Sequence, residues 1–323
     1  MTFWNGRKVL VTGGNGFIGS HLVELLVAEG AVVTTTASSE ATRFRFLEAV
    51  KSEIRIVAGD LADPGCAQEA VRGQEIVIQL AARVGGIEYN LKHPGSIFYN
   101  NMSVFMSVLE AARRAGVELF LATSSACVYP RYCAIPTPEE EGFKDWPEPT
   151  NEGYGWAKRM EEFLGEAYAK EYGLKVRIAR PYNAYGPRDN FDPASSHVIP
   201  ALIRRIVQGE NPMVVWGDGS ASRSFLYVTD FARGLMAVAE KSPQVAAINI
   251  GANEETTIRE LAETLVRISG KLVELQFDAS KPTGQPRRCC DTRLAESLLG
   301  FQAQVPLEDG LRQTMEWYSR HLG

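Results

Sequence analysis

The chain has 323 residues, 45% apolar and 23% charged, and its 34 basic and 39 acidic side chains leave a formal net charge of −5. These are the proportions of a globular chain with room for a large core, and they exclude disordered, collagenous, coiled-coil and low-complexity scaffolds. No basic stripe or like-charge block offers a footprint for nucleic acid or a membrane surface, and no apolar run approaches the ~20 residues of a membrane span.

Residues 1–8 run into an apolar stretch without a small-residue cleavage site. The five cysteines, Cys66, Cys127, Cys133, Cys289 and Cys290, are odd in number and lack metal-ligand spacing. That pattern argues against a disulfide framework and against a metal site. The expectation is a cytoplasmic chain with reduced thiols.

In chain order, β-branched runs alternate with helical stretches. Residues 8–12 predict a strand, 20–29 a helix with Leu22, Leu25 and Leu26 on one face, and 31–36, 54–58 and 76–80 three further strands. A helix over 101–115 leads to a fifth strand at 118–123, and one over 155–172 leads to a sixth at 175–179. Continuous apolar strands separated by helices imply a parallel sheet covered on both faces, and right-handed crossovers make it doubly wound. After Arg180 the texture changes. A Pro-, Asn-, Tyr- and Gly-rich stretch (181–200) precedes a helix at 201–208, an extended run at 213–216, one more sheet strand at 247–250, and helices over 256–269 and 307–320. The chain therefore reads as α/β: a doubly wound Rossmann sheet on 1–180 plus 226–250, interwoven with a smaller α/β C-terminal substrate lobe on 181–225 plus 251–323.

Between the first strand and first helix lies Thr12-Gly13-Gly14-Asn15-Gly16-Phe17-Ile18-Gly19. Glycines at 13, 16 and 19 allow a sharp turn and close approach to a pyrophosphate, which the helix N-terminus then stabilises, with Phe17 and Ile18 among the expected cofactor contacts. Placed after a strand and opening a helix, this spacing points to a dinucleotide site. An NAD site carries a carboxylate at the end of the second strand. Here Thr34-Thr35-Thr36-Ala37-Ser38-Ser39 is neutral, with Arg43 and Arg45 beyond it, which favours NADP(H) and leaves NAD(H) open. Asp60 and Leu61, after the third strand, and Ala81, after the fourth, complete the expected cofactor contacts.

Tyr154 and Lys158 are spaced i, i+4, so on a helix they share one face. A free tyrosine ionises near pH 10, and a neighbouring ammonium favours the phenolate, making the pair a proton-exchange device. Ser125 ends the fifth strand, where open α/β sheets place their ligands, and its hydroxyl can hold the oxygen whose proton the tyrosine exchanges.

The glycine spacing, Ser125 and Tyr154-x-x-x-Lys158 together resemble the extended short-chain dehydrogenase/reductase family, specifically its nucleotide-sugar epimerases and dehydratases. The resemblance extends through Arg223-Ser224-Phe225 to Gln285-Pro286-Arg287-Arg288. It implies that Tyr154 is the acid or base at the sugar 4-oxygen, that Lys158 binds the nicotinamide ribose and tunes the tyrosine, and that Ser125 orients the oxygen. Ser125-Ala126-Cys127 stands where the 4,6-dehydratases carry Thr-Asp-Glu, which argues against dehydration. Ala82–Asn90 and the segment Asp189 to Leu202 are similar to the GDP-L-fucose synthase branch. That branch implies a proton-exchanging pair at Cys127 and His197 for inversion at C3 and C5, chemistry available to both side chains near neutral pH. Ala126 and Ser224 depart from the branch and resemble GDP-mannose 3,5-epimerases, which however carry a lysine at the position of His197. Asn183 and Arg223 fall at positions implied to hold the nucleotide diphosphate, where an arginine fork bonds two oxygens at once, with Arg287 or Arg288 as a helper and Arg204 as a further expected substrate contact.

The leading expectation is an NADP(H)-using epimerase/reductase of a GDP-linked 4-keto-6-deoxyhexose. A redox-neutral epimerase with tightly held NAD and a non-catalytic dinucleotide sensor are the alternatives. The resemblance further implies a homodimer joined through helices near 101–114 and 155–170.

Overall fold

The computed structural model describes residues 2–42, 44–243, 246–281 and 284–321. In chain order the strands of the first lobe are β1 (Lys8–Val11), β2 (Val32–Ala37), β3 (Ile54–Ala58), β4 (Ile76–Gln79), β5 (Leu119–Thr123) and β6 (Val176–Pro181). Short strands follow at β7 (Ala184–Tyr185), β8 (Met213–Trp216), β9 (Ser222–Arg223) and β10 (Leu226–Tyr227), before β11 (Ala247–Ile250) returns to the main sheet. That sheet has seven strands in the order β11-β6-β5-β4-β1-β2-β3, with every pairing parallel. The α/β doubly wound reading holds.

Alternation along the strands explains why both faces are covered. Val9, Val11, Ile76, Ile78, Leu119 and Leu121 enter one apolar cluster, whereas Leu10, Val77 and Phe120, between them in sequence, enter the other. The first cluster is closed by α1 (Phe17–Ala28) and the second by α2 (Pro64–Val71), with α3 (Ile87–Lys92) short and peripheral, and by α4 (Pro94–Ala115) and α5 (Glu152–Tyr172). α4 starts at Pro94 rather than at 101, because proline at a helix start forfeits no hydrogen bond.

The second lobe contains α6 (Val198–Val207), α8 (Ile258–Ser269) and α10 (Leu307–His321), separated by α7 (Val228–Lys241) and α9 (Arg293–Leu299). The expected extended run at 213–216 is β8, paired in parallel with Leu275–Asp278. Ile203, Ile206, Leu261, Leu265, Leu311 and Met315 form this lobe's own core. α7 packs on the first lobe, where Leu235 and Val238 meet Ile248 and Ile250, and Leu299 and Phe301 join them. Among the described residues, no helix is long and apolar enough to cross a membrane.

The order of strands reverses between β1 and β4, and the carboxyl ends of β1, β4 and β5 open into the crevice this reversal creates. The second lobe closes over it.

Candidate active site

A single cavity of about 1250 Å³ fills the crevice, lined by Gly13, Gly16 and Phe17 at one end and by Tyr154, His197 and Arg288 toward the other. The backbone at the first end is shaped for close contact. Gly13 has φ +68, and a Cβ there would lie 3.2 Å from Ala81 Cα. A Cβ on Gly19 would come within 2.6 Å of Gly14 Cα, so only glycine lets α1 start this close to the turn. Thr36 Oγ1 accepts from Gly13 N at 2.8 Å, and Asn15 Nδ2 donates to Thr42 O at 2.9 Å, fixing the turn against β2. This cradle, open over the N-terminus of α1, fits a dinucleotide pyrophosphate. Ile18, Gly19, Asp60, Leu61 and Ala81 line the same cavity, as expected, and so do Thr36 and Ser38 at the end of β2. Arg43 lies outside the described residues, while Arg45 is exposed with its guanidinium 4.8 Å from the Phe46 ring.

At the far end of β5 the backbone turns at Ser125, whose Oγ accepts from Cys127 N at 3.2 Å and caps a short helical turn, Ala126–Val128. This turn presents Ser125 and Cys127 to the cavity beside Tyr154 and Lys158 from α5. Lys158 Nζ lies 5.5 Å from the centre of the Tyr154 ring and donates to Thr123 O at 2.9 Å and to Glu161 Oε2 at 2.8 Å.

Lys158 favours the Tyr154 phenolate, as expected, but burial outweighs it. Burial pushes the Tyr154 hydroxyl up to about 12; Lys158 and a hydrogen bond from Ser125 oppose this, and the nearby Glu161 carboxylate reinforces it. Lys158 itself is raised: burial disfavours its charge, but Glu161 and Tyr154 together outweigh that cost.

His197 caps the N-terminus of α6 with an extended backbone, φ −77 and ψ 175. Its surface is open to the cavity, yet the surrounding protein encloses it and lowers its pKa, favouring neutral imidazole. Cys127 has a cationic neighbour, with Arg288 Nη1 at 3.8 Å from its sulfur; Gln285 Oε1 holds Arg288 Nε at 2.8 Å. Burial, with Arg288 nearby, brings the Arg223 guanidinium down to about 10. Asn183, Arg204, Arg223 and Arg288 all line the cavity. Asn183 Nδ2 is engaged by Ser224 O at 2.8 Å, and Arg204 Nε is buried without a hydrogen-bond partner among the described residues.

Sequence reading missed three features. Glu161 is the buried partner of Lys158, although i, i+3 spacing on one helix face was there to be read. Trp216, half-exposed, and Arg205 also face the cavity, from β8 and α6. Only the closure of the second lobe brings them there.

A glycine-cradled crevice with a Ser-Tyr-Lys set on its far wall defines a dinucleotide-dependent enzyme of the short-chain dehydrogenase/reductase class. Residues 9–251 match the pattern of the NAD dependent epimerase/dehydratase family, and the chain belongs to that family. It is 35% identical to GDP-L-fucose synthase 1 of Arabidopsis thaliana, across 98% of this chain and 94% of that one. It is 32% identical to dTDP-4-dehydro-6-deoxy-D-allose reductase of Streptomyces bikiniensis, across 98% of both. Among solved structures, UDP-glucose 4-epimerase of Thermotoga maritima with UDP-glucose superposes with a TM-score of 0.87 at 29% identity, covering 98% of this chain and 99% of that one.

Proposed function

We propose that the protein is an NADP(H)-dependent epimerase/reductase of a GDP-linked 4-keto-6-deoxyhexose. The observation that carries this reading is the convergence on one cavity of Ser125, Tyr154 and Lys158 with Cys127 and His197. Residues 1–180 plus 226–250 hold the dinucleotide, and 181–225 plus 251–323 cover the sugar nucleotide. Similarity to GDP-L-fucose synthase over nearly the whole chain supports the substrate class. The neutral end of β2 supports NADP(H) over NAD(H).

A 4-ketone acidifies the hydrogens on C3 and C5. Inversion at each carbon needs one group to remove a proton and another to return one to the opposite face. Cys127 and His197 form that pair. His197 is available as neutral imidazole, and Arg288 steadies negative charge on the Cys127 sulfur. The 4-oxygen is held by Ser125 and receives its proton from Tyr154, and Lys158 offsets the phenolate charge left behind. A reduced nicotinamide, when bound, supplies the hydride at C4 that completes reduction of the ketone to the alcohol. Arg204, Arg223 and Arg288 hold the diphosphate, and Asn183 positions Arg223's strand through Ser224 O. The exposed Tyr99 and Met106 on α4 and Phe163 on α5 support a homodimer formed through these helices.

Turnover of a GDP-4-keto-6-deoxyhexose with NADPH tests the assignment. Tyr154→Phe is expected to lower it about 10²–10⁴-fold with NADPH binding retained; a variant as active as the parent sinks the reading. In heavy water, deuterium should enter the sugar at C3 and C5. Cys127→Ser and His197→Asn should each suppress that uptake, and parental exchange in both would remove the pair from the mechanism.

A second reading, a redox-neutral epimerase, is favoured by Ser224, a fully buried serine bonded to Ala252 O where fucose synthases carry glutamate. NAD⁺ released on denaturing the purified protein would support it.

A further inference from the structure

We propose that Glu161 is a positioning residue: its buried carboxylate fixes Lys158 between β5 and Tyr154 and governs how readily Tyr154 gives up its proton. Glu161 is only 2% exposed and lies behind Lys158, off the cavity wall. An ammonium has three N–H donors. In Lys158 one goes to the Thr123 carbonyl and one to Glu161, both on the protein side. The third is thereby aimed past the Tyr154 ring toward the cavity that Lys158 lines. Without Glu161, the ammonium would keep a single protein acceptor and could swing.

The charge argument is independent of the orientation argument. With Tyr154 protonated, Lys158 and Glu161 form a neutral buried pair. Loss of the tyrosine proton then leaves the cluster with one net negative charge, which a poorly solvated site resists. Glutamine at 161 removes that charge: the cluster starts positive and becomes neutral when the proton leaves, so the proton leaves at lower pH. The other groups facing this cluster are Cys127 and the Ser125 hydroxyl from the turn after β5, and Glu162 on α5 itself, which is already paired with Arg180. Tyr154 and Lys158 interact closely, so the proton is lost from the pair as a unit.

The inference rests on Tyr154 exchanging the proton of the sugar 4-oxygen. Its test compares the parent with Glu161→Gln, Glu161→Asp and Tyr154→Phe. Two quantities are followed against pH: NADPH-driven reduction, and the NADPH dissociation constant from quenching of protein fluorescence. In Glu161→Gln the alkaline limb of kcat/KM should move down by about one pH unit or more, a tenfold change in the proton equilibrium. NADPH binding should weaken several-fold, because the Lys158 side chain is no longer held. Glu161→Asp, which keeps the charge at shorter reach, should retain the parental alkaline limb while binding NADPH less tightly, and it carries the test should the glutamine variant not fold. A parental pH profile and parental NADPH affinity in either variant overturn the proposal. Full turnover in Tyr154→Phe would instead overturn the assignment of Tyr154, and the NADPH affinities of the two Glu161 variants would still judge the positioning role.

Discussion

On the sheet side of the cavity, Lys158, Glu161, Glu162 and Arg180 are all buried and all paired. Lys158 bonds Glu161, Arg180 donates to both Glu162 oxygens at 2.9 and 2.7 Å, and Ser124 Oγ donates to Glu162 as well. These bonds tie α5, β5 and β6 into one unit. On the lobe side, residues 189–197 are organised by local turns: Ser195 N and Ser196 N both donate to Asp192 O, and Asn190 Nδ2 donates to Ser195 Oγ at 2.9 Å. One backbone bond, Gly86 N to Ser195 O at 3.2 Å, joins this segment to the loop after β4. The contrast separates two tasks. Lys158 and its neighbours on α5 are set by a charged network that tolerates little displacement. His197 and the residues before it sit on turns that can be altered without dismantling the core.

The sharpest way to break this comparison is to remove an anchor on the sheet side. Glu162→Ala leaves Arg180 buried with no carboxylate and should cost about 3–5 kcal/mol of stability, because an uncompensated interior charge is more expensive than the pair was worth. Denaturant midpoints measure this. A loss below about 1 kcal/mol would mean that α5 is not held to β6 in this way.

Asp189 probes the lobe side. Its Oδ1 accepts from Asn190 N at 2.6 Å, its Oδ2 is buried without a partner among the described residues, and burial pushes its carboxyl from the usual 3.8 up to about 7. A folded-state value above the unfolded one means that the native state holds the extra proton. This group's contribution is therefore fully present below about pH 4 and is lost as pH rises through about 7. The loss is on the order of 4 kcal/mol. Asp189→Asn should flatten that slope and exceed the parent in stability at pH 8; identical pH dependence in both proteins would count against a protonated Asp189.

The smallest effect belongs to the start of α8. Thr257 and Glu260 form a reciprocal capping box there, with Glu260 N donating to Thr257 Oγ1 at 3.1 Å and Thr257 N to Glu260 Oε2 at 2.9 Å. Thr257→Ala should cost about 1 kcal/mol and leave the alkaline limb of the reaction unmoved. A shift in that limb would show the two walls to be more tightly coupled than their hydrogen bonds indicate.

Much of the site could be read from local spacing, because its parts are local devices. Gly13 takes a left-handed backbone and Gly19 leaves no room for a Cβ, so the turn itself demands glycine at both. Tyr154 and Lys158 share a face because helices repeat every 3.6 residues. Continuous apolar strands determined the parallel sheet and its two covered faces, since alternate residues must enter alternate cores. The sequence by itself thus settled the fold class, and it singled out the glycines, Ser125, Tyr154 and Lys158 that the fold brings to one cavity. What it could not settle are quantities that depend on distant chain segments meeting. Only the closed structure brings Trp216 and Arg205 to the cavity, places Arg288 against Cys127, and isolates Asp189. The same holds for the ionisation of Tyr154, where burial outweighs the lysine four residues away. Spacing along the chain determines which groups are neighbours, but the low-dielectric surroundings that set their charges are assembled by the whole fold.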